Sequence, residues 1–386
     1  MIQGLPDFPW DSLAPAKERA SAFFDPELRG SAGSGIVDLS VGTPVDPTPG
    51  LIQEALREDS NAPGYPQVWG TPDLREAVAA WFHARRGVPD VDPDGVLPTI
   101  GSKELVAWLP TLMGLGPGDI VAFPRVAYPT YDVGARLART TPVAADSLTA
   151  FGPLTAATTP KLLWLNTPSN PTGKVLGVEH LAKVVAWARA HGVVVASDEC
   201  YAELDWRSED ERGGRAEPPT TPSILDPRVT QGSHEGLLAV YSLSKQSNVA
   251  GYRAAFAAGD PALVGQLREV RKHAGMIMPW PIQRAMLAAL ADHDHVVAQK
   301  AVYAARRAAL APAVEGFGLR IEDSQAGLYL WATAQEGCRV TVDRLADRGI
   351  LVAPGDFYGA AGAQHVRIAL TGTDERIAAA VVRLAR

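Results

Sequence analysis

The segment Ser242-Leu243-Ser244-Lys245 sets two hydroxyls at alternate positions beside an amine. Such an amine can bond an aldehyde while the serines hold a phosphate on the same molecule, and Arg253, further along, adds a permanent cation. Alone, the segment also reads as a strand ending in a polar turn with a surface lysine. Ser197-Asp198-Glu199-Cys200-Tyr201 follows the apolar run Val193-Val194-Val195-Ala196. A carboxylate at the carboxyl end of a buried strand faces the ligand crevice and is costly there unless paired. Tyr201 can donate a hydrogen bond nearby. The plainer reading of Asp198 is a helix N-cap. In Asn166-Thr167-Pro168-Ser169-Asn170-Pro171-Thr172-Gly173 two prolines hold Asn170 in a rigid loop. An ordinary Asn-Pro turn has the same string. Gly101-Ser102-Lys103 joins an apolar run to a helix, whose free N–H groups suit a phosphate. Many strand-to-helix turns look alike. Tyr128 can stack on a flat ring or serve as a core tyrosine. Arg367 lies in the apolar run His365–Leu370 and needs a carboxylate, either structural or from a substrate.

Together these groups meet the needs of one cofactor, pyridoxal 5′-phosphate (PLP). Its aldehyde needs a lysine, its pyridine nitrogen a carboxylate, its phenolic oxygen donors, its ring a flat partner, and its phosphate hydroxyls, backbone N–H groups and a cation. Other apparent motifs carry less. Thr172-Gly173-Lys174-Val175 lacks the earlier glycine and the trailing Ser or Thr of a phosphate loop. Gly114-Leu115-Gly116-Pro117-Gly118-Asp119 fails the dinucleotide pattern at its last position. Asp292-His293-Asp294-His295 reads better as a solvated helix end than as a metal site. No metal is expected.

These residues need a scaffold that brings strand ends together. Short apolar runs at 96–100, 120–123, 139–144, 161–165, 193–197, 237–241 and 253–258 alternate with helical stretches at 73–86, 103–114 and 178–190. That pattern predicts an α/β fold with a large domain built on a mostly parallel seven-stranded sheet flanked by helices. Gly192 suits the end of the third helix. Residues 206–236 read as a long surface connection with a short turn at Pro222–Leu225. The 261–312 region is helix-rich. From 315 on, strands (Gly327–Trp331, Ile350–Val352, His365–Leu370) mix with helices near 341–348 and 374–386. Residues 1–45 look irregular around a short helix near Ala16–Phe24. The expected division is a large domain over 46–275 and a smaller α+β domain from 1–45 and 276–386.

Among 386 residues, 46% are hydrophobic and 20% charged, enough for a large core. The net charge of −7 argues against nucleic acid or an anionic membrane as partner. No run of 18 or more apolar residues suggests a membrane span, and the first residues do not read as a signal peptide. Cys200 and Cys338 form neither a disulfide framework nor a zinc-spaced cluster, which points to a reducing cytoplasm.

The motifs at 166–173, 197–201 and 242–245, with Arg253 at its offset, resemble the fold type I PLP-dependent aminotransferases of classes I and II over nearly the whole chain. The resemblance implies that Lys245 holds PLP covalently and later carries the proton, and that Asp198 pairs with the pyridine nitrogen. It puts Tyr201 and Asn170 at the phenolic oxygen and Tyr128 on the ring. It makes Ser102, Lys103, Ser242, Ser244 and Arg253 the phosphate cup. Arg367 would clamp the substrate α-carboxylate, which Gly42 and Asn170 also touch. Tyr65 matches a tyrosine that reaches the neighbouring subunit's phosphate, implying a homodimer with small-molecule amino-acid and keto-acid substrates. The segments 251–260, 275–279 and 352–359 are similar to aminotransferases acting on N-succinyldiaminopimelate, with glutamate the habitual donor. A carbon–sulfur lyase on the same fold would share every PLP residue. A PLP-holding regulator would need a DNA-binding extension, and no basic N-terminal module is present.

Overall fold

Runs of Val, Ile, Leu and Ala closed by Gly, Pro or Ser become strands buried on both faces, and the amphipathic stretches between them become covering helices. The computed structural model describes residues 9–23, 35–152, 154–155, 157–212 and 221–386. A 3-10 turn at Pro9–Leu13 leads to α1 (Ala14–Ala22), β1 (Val37–Asp38), α2 (Gly50–Glu58) and α3 (Pro72–Trp81). Next come β2 (Val96–Ile100), α4 (Ser102–Leu112), β3 (Ile120–Phe123), α5 (Thr130–Leu137), β4 (Thr141–Ala144) and β5 (Leu162–Asn166). The chain continues through α6 (Val178–His191), β6 (Val194–Asp198), α7 (Pro227–Thr230), β7 (Leu237–Ser242), β8 (Ala254–Gly259) and α8 (Pro261–His273). It then forms α9 (Trp280–Ala291), α10 (Asp294–Gly316), β9 (Arg320–Glu322), β10 (Tyr329–Thr333) and α11 (Cys338–Ala346). It ends with β11 (Ile350–Leu351), β12 (Ala353–Pro354), β13 (His365–Ala369) and α12 (Asp374–Leu384).

The large sheet has the order β2-β8-β7-β6-β5-β3-β4. Its strands are parallel from β7 to β4, and β8 runs against both its neighbours. Alternate residues of one strand serve opposite cores. Leu163 and Leu165 meet Ile52, Val78, Val184 and Met286, whereas Leu162 and Trp164 meet Leu105, Tyr131 and Leu267. Each such fully buried side chain contributes about 1.5–3 kcal/mol. Gly192 ends α6 in the left-handed conformation, as expected. Helix α5 was not expected, because Thr130 and Gly134 weaken its propensity. Gly134 is required by packing: a Cβ there would lie 2.8 Å from the Val106 carbonyl of α4.

A second core joins α1, α11, α12 and the end of α10 to the antiparallel sheet β12-β13-β10-β9. β1 pairs in parallel with β11, Val37 opposite Ile350, so an early segment and the last third of the chain share this core. The expected division at 275 assigns α9 to that core. Its packing lies elsewhere: Ala285, Met286 and Ala289 sit among the residues under the large sheet, against α2 and α3. Residues 292–295 span the start of α10, where the Asp292 carboxylate accepts the His295 N–H at 3.0 Å. Among the described residues, no helix is long and apolar enough to cross a membrane.

The expected surface connection at 206–236 needs correction. Residues 213–220 lie outside the described residues, but Ser223, Ile224, Leu225 and Val229 are buried. The cause is the Glu199 carboxylate, which accepts from Arg86 at 2.8 Å, the Ile224 N–H at 2.7 Å and Ser223 at 3.2 Å. Both charged side chains are 0% exposed. Glu199→Ala strands the Arg86 charge and should cost about 3–5 kcal/mol of stability, read as a clear fall in the urea unfolding midpoint. An unmoved midpoint would contradict this account.

Candidate active site

The carboxyl ends of β5, β6 and β7 open into one crevice, where a parallel sheet binds its ligands. β6 ends on Asp198, only 7% exposed. The Tyr131 hydroxyl donates to its Oδ2 at 2.9 Å and the Cys200 N–H to its Oδ1 at 3.2 Å. Burial pushes the Asp198 carboxyl up, and the donors from Cys200 and Tyr131 offset part of that. β5 ends on Asn166, whose amide donates to the Asp198 carbonyl at 3.0 Å and to that of Pro168 at 3.1 Å. Its Oδ1 accepts the Asn170 N–H at 2.7 Å. The loop carries cis bonds at Thr167–Pro168 and Asn170–Pro171.

β7 delivers Ser242, whose hydroxyl lies 2.8 Å from that of Ser244 and accepts the Ser244 N–H at 3.2 Å. Lys245 then points its amine to the Gly42 carbonyl, and burial lowers its proton affinity. Arg253 is left-handed (φ 59°) and anchored to the Ala250 carbonyl at 2.9 Å. Its guanidinium packs on Gly101, just before the first turn of α4 with Ser102 and Lys103. A Cβ on Gly101 would lie 2.1 Å from the Arg253 Nη2. From β13 comes Arg367, 5% exposed. It donates to Asn170 Oδ1 at 2.9 Å and to the Ser40 carbonyl at 2.6 Å. Its guanidinium stands 4.0 Å from the Tyr329 ring centroid and 4.9 Å from that of Tyr358.

These groups line one cavity of about 470 Å³. It brings together Gly42, Ser102, Lys103, Tyr128, Asn170, Asp198, Tyr201, Ser242, Ser244, Lys245, Arg253 and Arg367. Tyr65 is not among them. Its side chain is 102% exposed, because its loop finds nothing to pack against within one chain. Sequence reasoning missed Tyr131, Tyr329, Trp10, Phe357 and Tyr358. Tyr131 lies in the first turn of α5, a helix the sequence pattern does not predict. A tyrosine in the apolar run Leu328–Trp331 needs a partner for its hydroxyl.

The electrostatics define what fits. Among the described residues, neither Asp198 nor Arg367 nor Arg253 has an ion-pair partner. A buried carboxylate and a buried guanidinium held by neutral groups are each suited to an opposite charge from a ligand. The Gly101–Arg253 cradle at the start of α4 suits a phosphate. A phosphorylated pyridine aldehyde satisfies all three, with Lys245 for the aldehyde.

Residues 34–384 match the family model of the class I and II aminotransferases, and the chain belongs to that family. The family is PLP-dependent, and the donors just described fit that cofactor. The chain is 58% identical over 380 residues to a "probable aminotransferase" of Mycobacterium tuberculosis, covering 98% of this chain and 85% of that protein. It is 55% identical to 4-dedimethylamino-4-oxo-anhydrotetracycline transaminase OxyQ of Streptomyces rimosus, over 99% of this chain and 100% of that protein. Among solved structures, the "probable N-succinyldiaminopimelate aminotransferase" of Thermus thermophilus aligns with a TM-score of 0.80 at 30% identity, covering 97% of this chain and 99% of that chain.

Gly101→Ala meets both a left-handed backbone (φ 77°) and the Arg253 guanidinium. PLP affinity should fall about tenfold or more by absorbance titration, the loss of roughly one charged hydrogen bond. A dissociation constant within about twofold of wild type would contradict the cradle.

Proposed function

We propose that this chain moves an amino group between an α-amino acid, glutamate by preference, and a keto acid, with Lys245 as the catalytic amine. The observation that carries this reading is the placement of Lys245, Asp198 and Arg367 on the walls of one cavity, with neither buried charge ion-paired among the described residues. When bound, PLP supplies an aldehyde for the amino group and a ring that withdraws electrons. Asp198 keeps the pyridine nitrogen protonated. Tyr201 and Asn170 donate to the phenolic oxygen, and Tyr128 lies against the ring. Ser242, Ser244, Arg253 and the N–H groups of Ser102 and Lys103 hold the phosphate. Arg367, with the Gly42 main chain and Asn170, grips the substrate α-carboxylate. That grip would orient the substrate so that its α-proton, and not its carboxylate, faces the Lys245 amine. Burial keeps the freed Lys245 amine uncharged at lower pH than usual, ready to take that proton and return it. Tyr65, exposed on one chain, completes the phosphate site of a second copy in a homodimer.

For the acceptor we favour N-succinyl-2-amino-6-ketopimelate. The Thermus thermophilus likeness supports it, together with a clamp built for an α-carboxylate. A flat ring-bearing ketone is the second reading. It is favoured by the 55% identity to OxyQ and by an outer wall of Trp10, Phe357 and Tyr358.

Lys245→Ala should lose the absorbance of lysine-bound cofactor and turnover, by at least about a thousandfold; an active alanine variant would defeat the assignment. A panel of acceptors with glutamate as donor decides the substrate. Highest kcat/KM on N-succinyl-2-amino-6-ketopimelate is expected. No activity there, with good activity on a ring ketone, would overturn that choice and leave the reaction class intact.

A further inference from the structure

Tyr329 belongs to β10 and is 4% exposed, yet its hydroxyl opens on the cavity. It is in touch with three elements of the site at once. Its oxygen lies 3.2 Å from that of Tyr201. Its ring lies under the Arg367 guanidinium, 4.0 Å from centroid to carbon. A Cβ on Gly42, whose carbonyl holds the Lys245 amine, would lie 2.0 Å from the phenolic oxygen. The backbone at Gly42 can pass because that residue has no side chain, so the phenol is fixed between clamp and lysine.

Either hydroxyl of the Tyr201–Tyr329 pair can supply the hydrogen of the bond between them. Burial pushes the Tyr201 hydroxyl well up, and Tyr329 beside it adds to that. Burial also acts on Tyr329, but the Arg367 and Lys245 charges and the bond with Tyr201 outweigh it and hold Tyr329 below the ordinary phenol value. The Tyr201 hydroxyl carries one hydrogen: once the phenolic oxygen of PLP takes it, the Tyr201 oxygen, 3.2 Å from that of Tyr329, can only accept, and Tyr329 becomes the donor.

We propose that Tyr329 is a positioning residue that acts through Tyr201: its hydroxyl donates to the Tyr201 oxygen, aims the Tyr201 hydrogen at the phenolic oxygen of PLP and makes it a stronger donor. The proposal rests on the reading that Tyr201 serves that oxygen. Chained donors polarise one another. A stronger donor stabilises negative charge on the phenolic oxygen, so the proton shared between that oxygen and the Lys245 nitrogen leaves at lower pH. Because Arg367 sits on the same ring, a substrate carboxylate arriving at the clamp weakens the pull on Tyr329. The chain thus carries a path from the clamp to the cofactor's phenolic edge.

The test is a pH titration of the holoenzyme's cofactor absorbance. Tyr329→Phe removes only the hydroxyl and should raise the midpoint by about half to one pH unit, the worth of one hydrogen bond. Tyr201→Phe should raise it further, and adding Tyr329→Phe to that variant should shift it no more. 3-Fluorotyrosine in place of Tyr329, a more acidic phenol of nearly the same shape, should lower the midpoint; it serves even if the phenylalanine variant folds poorly. A merely structural tyrosine would change thermal stability and leave the midpoint in place. An unmoved midpoint in Tyr329→Phe alongside a shifted one in Tyr201→Phe overturns the proposal. So does an equal Tyr329→Phe shift in both backgrounds. An unmoved midpoint in Tyr201→Phe overturns the assignment of Tyr201 as well, while cofactor binding through Lys245 would still stand.

Discussion

Two opposite charges are buried in one cavity and do not neutralise each other. Asp198 is served by the neutral donors Tyr131 and Cys200, and Arg367 by the neutral acceptors Asn170 and Ser40. Leaving charges so placed is expensive, and a small protein ligand-free of such demands would pair them or replace them with apolar groups. Their separation makes sense when a ligand brings a cation to one and an anion to the other. A pyridinium and a carboxylate are such a pair of charges. The rest of the site follows from keeping these two residues apart yet on the same cavity.

The scaffold achieves this by drawing them from different sheets. Asp198 ends a central strand of the seven-stranded sheet, so its backbone is held by ladders on both sides. Arg367 belongs to β13, between β10 and β12 of the four-stranded sheet. Polar contacts join the two beside an apolar cluster of Tyr201, Leu204, Leu328, Tyr329 and Ala369. Asn170 accepts from Arg367 and is held through Asn166, whose amide bonds the Asp198 carbonyl. Lys245 reaches the Gly42 carbonyl from the other side. The cofactor edge and the substrate clamp are therefore linked by side chains that also line the site.

Much of this was legible in the residue order because parallel sheets place strand ends together. Once 161–165, 193–197 and 237–241 read as strands, the residues just after them, Asn166, Asp198 and Ser242, had to meet, and Lys245 with them. Arg367 was legible as a charge in an apolar run. The aromatic partners were not. Tyr131 and Tyr329 look like core residues in apolar surroundings, and only three-dimensional proximity shows what their hydroxyls serve. The region after 206 misled for a related reason. Its Gly, Pro and charge suggest a surface loop, but the Glu199 carboxylate draws Ser223 and Ile224 inward, and a distant ion pair leaves no local trace. Helix α9 is apolar enough for either core, so its side of the division was decided by packing against α2 and α3.

The most direct test of the central claim is the protonation state of the cofactor's pyridine nitrogen on the protein. With isotopically labelled PLP bound, the nitrogen-15 chemical shift reports it. The account predicts a protonated nitrogen throughout the neutral range in the native protein and a deprotonated one when Asp198 is replaced by alanine. A nitrogen already deprotonated at neutral pH with Asp198 intact would contradict it.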